Sequence, residues 1–216
     1  MDISYLGHAS FKIKSKSTTI LTDPYDPKTV GLKFPKVSSD IVTVSHDHED
    51  HNYLEGVKDI KKIISGPGEY EISEISIFGY QSFHDDKKGE VRGKNVIYSI
   101  EVEGYVLVHL GDLGHKLDQS TIDKLGIVDV LMIPVGGEYT IDAGVAVDVI
   151  SSIEPKIIIP MHYNHTGLNQ ETFSKLTSVT EFLEKMSLPV ENMDKFVLKG
   201  ELSEEQKVVN LKILNG

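Results

Sequence analysis

Cysteine is absent from the 216 residues. The chain therefore has no disulfides, no thiol nucleophile and no thiolate ligand, and any metal must be held by histidine and carboxylate. That fits a reducing compartment, and the expectation is a cytoplasmic protein. Long apolar runs are missing as well. No stretch approaches the roughly 18 apolar residues of a membrane helix. The start, Met1-Asp2-Ile3-Ser4-Tyr5-Leu6, has neither a basic leader nor the apolar segment of a signal peptide, so no membrane anchor is expected. Positive charge is scarce: 22 Lys and Arg stand against 33 Asp and Glu, for a formal charge of −11. Such a surface repels phosphate backbones and anionic lipid at long range, which disfavours nucleic acid as a partner. A small anionic substrate stays open if divalent cations concentrate positive charge at one spot. Biased or low-complexity windows are also lacking, and with 39% hydrophobic and 25% charged residues the chain reads as one folded domain over residues 1–216. Nothing in this composition opposes a homo-oligomer.

What is present begins with short strands. Ile3 to Leu6, Ser10 to Lys14 and Thr18 to Thr22 are separated by Gly7-His8 and Ser15-Lys16-Ser17, the pattern of an antiparallel meander. Ile41 to Val44 is β-branched throughout and reads as a strand buried on both faces. A short helix over Tyr53 to Val57 precedes strands at Lys62 to Ile64, Glu69 to Ile72 and Ile75 to Gly79, with Gly66-Pro67-Gly68 read as a turn. Asn95 to Val102 and Tyr105 to Leu110 form a hairpin around Glu103-Gly104. The second half alternates: helix Ser120 to Leu125, strand Val130 to Pro134, helix Ala143 to Ile153, strand Ile157 to Pro160. A helix near Glu171 to Met186 and strands near Lys195 to Lys199 and Val208 to Ile213 complete the expectation.

The chemistry concentrates in His46-Asp47-His48-Glu49-Asp50-His51. Three imidazoles and three carboxylates within six residues suit Zn²⁺ or Fe²⁺. An extended loop turns alternate side chains the same way, so His46 and His48 serve one position and Asp50 with His51 an adjacent one. A plain solvated loop has little use for three histidines.

The hexad resembles the signature of the metallo-β-lactamase superfamily, and further matches follow in order along almost the whole chain: Asp23 in Leu21-Thr22-Asp23-Pro24, His84 in Phe83-His84-Asp85, Gly111-Asp112, and Pro160-Met161-His162. Tyr5-Leu6-Gly7-His8, Gly66-Pro67-Gly68-Glu69-Tyr70, Arg92-Gly93 and Gly136-Gly137-Glu138-Tyr139-Thr140 resemble the small hydrolases that are also similar to ascorbate-phosphate lactonase and acyl-phosphatidylethanolamine phospholipase D. The resemblance implies an α/β fold, a four-layer αββα sandwich, with two divalent ions at one edge, Zn²⁺ or else Mn²⁺ or Fe²⁺. It implies His46, His48 and His84 on the first metal, Asp50, His51 and His162 on the second, and Asp112 bridging. Asp23 then orients the hexad without binding metal, and His8 is divided between such a role and a structural one. The implied activity is hydrolysis of a small ester, lactone or phosphodiester by a metal-bridged hydroxide, oriented by Asp50 as the catalytic residue.

Other residues carry weaker signals. His115 and His165 each lie three positions beyond an implied ligand and are candidates for lining the substrate pocket. Tyr139 could donate to a developing oxyanion or cap the core, and Arg92 could bind an anionic substrate group. His109, in a strand, is read as packing. Two alternatives on the same fold are a nuclease or phosphodiesterase acting on nucleic acid and an iron-dependent redox enzyme. Relatives of the first kind commonly insert a domain between the bridging acid and the last histidine, where this chain has 49 residues. Diiron relatives usually replace the hexad's second histidine by Glu, where this chain has His48. Without cysteine the chain is also unlike the Cys-ligated β-lactamases.

Overall fold

The computed structural model describes residues 1–214. Two sheets dominate. The first runs, in spatial order, Phe196–Val197, Asp2–Gly7, Ser10–Lys14, Thr19–Thr22, Ile41–Thr43 and Lys62–Ile64. Its first four strands pair antiparallel, and Ile41–Thr43 and Lys62–Ile64 then join parallel. The second runs Val190–Met193, Lys207–Leu211, Ile157–Met161, Val130–Pro134, Tyr105–His109, Lys94–Val102, Ile75–Phe83 and Gly68–Ile72. Its first five strands are parallel and its last three extend it antiparallel.

Period-two alternation explains the layers. Ile20 and Ile41 belong to a large apolar cluster shared with the second sheet, whereas their neighbours Leu21 and Val42 belong to a smaller one. The first sheet is thus buried on both faces, as its β-branched composition requires. Helices Ala143–Ile153 and Val179–Met186 contribute Ala146, Ile150 and Phe182 to the large cluster. The smaller cluster is roofed by helix Pro27–Val30, by Phe34 and by Leu168, Phe173 and Leu176. This is the expected layered α/β sandwich, with short helical pieces and loops in place of a full helix layer over the first sheet.

Several elements differ from expectation. The helix expected over Glu171 to Met186 is two helices, Gln170–Phe173 and Val179–Met186. The break has a cause: Phe173 and Leu176 are buried in the small cluster and Phe182 in the large one, faces that one straight helix cannot serve together. Between them Thr177 N–H donates to Gly136 O at 2.8 Å. The helix expected over Tyr53 to Val57 is a single 3₁₀ turn, Leu54–Gly56, because Val57 pairs with Val37 as strand. Ile75–Phe83 runs four residues further than expected, and strand Val190–Met193 was not anticipated.

Candidate metal centre

Strand direction assembles the site. In the first sheet, Asp2–Gly7, Thr19–Thr22 and Ile41–Thr43 all end at one edge, which delivers His8, Asp23 and the hexad. In the second sheet, Ile75–Phe83, Tyr105–His109 and Ile157–Met161 end at the same edge and deliver His84, Asp112 and His162. His8, Asp23 and His162 take positive φ values of 56°, 39° and 52°, conformations uncommon outside glycine that turn each side chain away from its strand. Gly111, at φ 55°, has no room for a Cβ, which would collide with Asn95 Oδ1 and Ser45 Cβ. The chain passes so close here because Asp112 N–H donates to Asn95 Oδ1 at 3.0 Å, and Asn95 in turn donates to Leu110 O and Ser82 Oγ.

All seven implied ligands meet. Coordinating atoms of His46, His48 and His84 lie within 4.8 Å of one another, as do those of His46, His51 and Asp112, and those of His8, Asp50, His51 and His162. Asp112 is central, with Oδ2 at 3.2 Å from His51 Nε2 and at 3.3 Å from His84 Nε2 and His162 Nε2. Asp23 sits behind them, fully buried. It accepts from His51 Nδ1 at 2.9 Å and from Ser45 Oγ at 2.6 Å, and Ser45 Oγ lies 2.9 Å from His46 Nδ1. One carboxylate thus orients two rings so that their Nε2 atoms face inward. His46 Nε2, His51 Nε2, His162 Nε2 and Asp112 Oδ1 are buried with no hydrogen-bond partner. An unsatisfied buried polar atom costs about 1–3 kcal/mol, so a cluster of them pointing at one another is a fit for divalent cations.

Charge follows the same geometry. Burial pushes the His46 imidazole down to about 3, helped by neighbouring His51. Burial likewise brings His8 down to about 4, against the pull of Asp50. His51 goes the other way: burial opposes its charge, but Asp112, Asp50 and Asp23 outweigh it and hold it well above the ordinary imidazole value. Burial also disfavours the Asp112 carboxylate, and His162 and His51 outweigh that, holding it well below the usual range.

The beta-lactamase superfamily domain model matches residues 2–162. The chain belongs to the metallo-β-lactamase superfamily. Relatives within the superfamily include a UPF0173 metal-dependent hydrolase of Caldivirga maquilingensis, 30% identical over 212 residues, covering 84% of this chain and 90% of that protein. Another, from Carboxydothermus hydrogenoformans, is 27% identical and covers 76% of this chain and 85% of its own. A crystal structure from Thermotoga maritima, assigned to the Zn-dependent hydrolases of the metallo-β-lactamase superfamily, is 34% identical with a TM-score of 0.78. It covers 97% of this chain and 98% of that one.

The remaining candidates of this metallo-β-lactamase site separate. His8 donates toward Asp50 Oδ2 at 3.0 Å, and its ring centroid lies 4.2 Å from that of His162. Arg92 and Tyr139 line a cavity of about 190 Å³ together with His48, Asp50, His84 and Asp112. The Tyr139 hydroxyl donates to Thr172 O at 2.6 Å. His115 borders an adjoining cavity of about 410 Å³, but both nitrogens are engaged: Nε2 accepts from Phe83 N–H and Nδ1 lies 2.7 Å from Lys116 O. His165 lies against Tyr163 at 6.2 Å and lines neither cavity. His109 is buried with Nε2 on Ala9 O at 2.8 Å. Thr29, Thr172 and Phe173 also wall the metal cavity, and none carries a sequence signal beyond lying on a loop or a short helix. The role of Ser45 was in principle visible, being adjacent to His46.

Proposed function

We propose that this protein is a dinuclear metal-dependent hydrolase acting on a small ester, lactone or phosphodiester. The observation that carries the reading is the convergence of His46, His48, Asp50, His51, His84, Asp112 and His162, with several ligand atoms buried and unpartnered. The names and assignments of the similar proteins from Caldivirga and Thermotoga support the same class of activity. His46, His48 and His84 would hold one ion, Asp50, His51 and His162 the other, and Asp112 would serve both. Bound there, Zn²⁺, Mn²⁺ or Fe²⁺ supplies Lewis-acid polarisation of the electrophile and lowers the pKa of a coordinated water.

The chain's own residues supply the rest. Asp23 holds His51 directly and His46 through Ser45, which keeps both rings in one tautomer. Asp50, whose Oδ2 already accepts from His8, orients the attacking water through its carboxylate. Phe173 and Tyr139 form an apolar and aromatic wall that limits bulk water. The substrate is a small molecule, consistent with a net charge of −11. No helix among the described residues is long and apolar enough to cross a membrane.

Elemental analysis of protein purified without chelator, followed by assay on lactones, thioesters and phosphodiesters, tests the proposal. About two ions per chain and turnover within one of these classes are expected. Protein that neither retains nor takes up metal would overturn it.

A further inference from the structure

The loop between the strands ending at Phe83 and starting at Lys94 is ordered by a single side chain. The Asp85 carboxylate accepts from the backbone N–H groups of Lys87, Gly89, Val91 and Arg92 at 2.8, 2.8, 2.9 and 2.7 Å. Gly93 closes the ring, donating to Gly89 O and accepting from His84 N–H, both at 3.1 Å. The product of this wrapping is a fixed Arg92, whose guanidinium carbon stands 5.5 Å from the centre of the Tyr139 ring. That ring is itself fixed, by its hydroxyl on Thr172 O and by an edge contact with Phe173 at 6.1 Å.

Arg92 and Tyr139 are lining residues of both the metal cavity and the adjoining larger one, with His84. Most charge around the larger cavity is already spent. Lys116 pairs with Asp148 at 2.6 Å, Glu138 with Lys175 at 3.4 Å, and Asp142 caps the N–H of Val145 at 2.9 Å. Asp86 is exposed. Among the described residues the Arg92 guanidinium has no carboxylate within ion-pair distance. A planar cation held over an aromatic ring, with its N–H fork unpaired and beside a cavity, is built for a two-oxygen anion.

We infer that the substrate carries a second, non-reacting anionic group, a carboxylate or phosphate, a short spacer away from the scissile bond, and that Arg92 binds it. This rests on the hydrolase reading for the position of the scissile bond. The remainder of the substrate extends into the larger cavity past Thr140 and His115. Arg92 on its Tyr139 platform thus selects acidic substrates over neutral ones of the same length, and does so although the protein as a whole is strongly acidic.

Calorimetric titration of the metal-loaded protein with glutarate, butyrate and 4-phosphonobutyrate tests this, comparing wild type with Arg92→Gln and Arg92→Lys. Glutarate is expected to bind at least tenfold more tightly than butyrate to wild type. Arg92→Gln brings the two within twofold by weakening glutarate alone, and Arg92→Lys retains part of the difference. The phosphonobutyrate arm shows which anion the fork prefers. Equal affinities for glutarate and butyrate in wild type, or an unchanged ratio in Arg92→Gln, would overturn the inference. Elemental analysis of the same samples separates the two readings. Metal present with no Arg92-dependent preference sinks this inference alone, while a wild type that takes up no metal sinks the hydrolase proposal and this inference with it.

Discussion

Asp112 Oδ2 is the atom that three imidazole nitrogens face at 3.2–3.3 Å, so its removal reaches every part of the cluster. Asp112→Ala is expected to lower metal affinity by more than ~100-fold, beyond the 10–100-fold usual for residues that only orient ligands, and to abolish turnover with it. Asp23→Asn should fall inside that smaller range. Asp47→Ala and Glu49→Ala should retain both metal and activity, because both residues are exposed and neither carboxylate joins the cluster. Metal stoichiometry and turnover measured side by side decide the matter, and a fully loaded, active Asp112→Ala protein would end the bridging assignment. Residue identity made the members of the cluster legible, since imidazoles and carboxylates recur directly after strand ends, but it did not separate those that would hold metal from His8 and Asp23 beside them. The roles of the other histidines were less so. His115 and His165 share a spacing from their ligands, yet one is clamped by two backbone groups beside a cavity and the other lies against Tyr163. Those contacts come from segments that local spacing cannot see.

At the scale of elements, most strands were legible because alternation and β-branching act locally, whereas the edge strand Val190–Met193, which does not alternate, and the broken helix over 171–186 were not. The helix break depends on two apolar clusters lying on opposite faces of a sheet, a tertiary fact. The 85–93 loop is a similar case: nothing in Asp85-Asp86-Lys87-Lys88 announces that the first carboxylate will gather four amides. Burial works against the Asp85 charge, but those donors outweigh it and hold its carboxyl below the ordinary value of 3.8. The sign follows: a depressed folded value means the loop's stabilisation is complete above about pH 4 and is lost as the pH falls through the folded value. Asp85→Ala should therefore loosen residues 86–93 at neutral pH and weaken glutarate binding by about tenfold, the equivalent of one charge-assisted contact. Metal content should stay unchanged. Amide hydrogen exchange across the loop and the same titration check this. A variant with unaltered exchange would mean that the loop is held by something other than Asp85.

Over the whole molecule, the site lies where the two sheets meet, and its clustered side chains are divided between them. His8 and the hexad come from the first sheet, and His84, Asp112 and His162 from the second. Cations bound there would tie together segments 116 positions apart in the chain, from His46 to His162, and would relieve buried nitrogens that otherwise lack partners. An unfolded chain offers no such arrangement, so metal binding adds directly to folding stability. At free metal about a hundredfold above the dissociation constant the gain is about 2.7 kcal/mol. For a protein of this size that corresponds to a rise in melting temperature of roughly 5–11 °C. Differential scanning calorimetry of chelator-treated and reloaded protein should show that rise in wild type. Glu49→Ala should show it in full, since its carboxylate faces Thr29 and not the cluster, and Asp112→Ala should lose most of it. Because Asp112→Ala also removes a buried carboxylate from beside His51 and His162, its chelated form can melt at a different temperature from chelated wild type. The quantity to compare is therefore the shift on reloading within each protein, not the absolute midpoint. Identical midpoints for chelated and reloaded wild type would mean that the convergent ligands do not join the two sheets through metal.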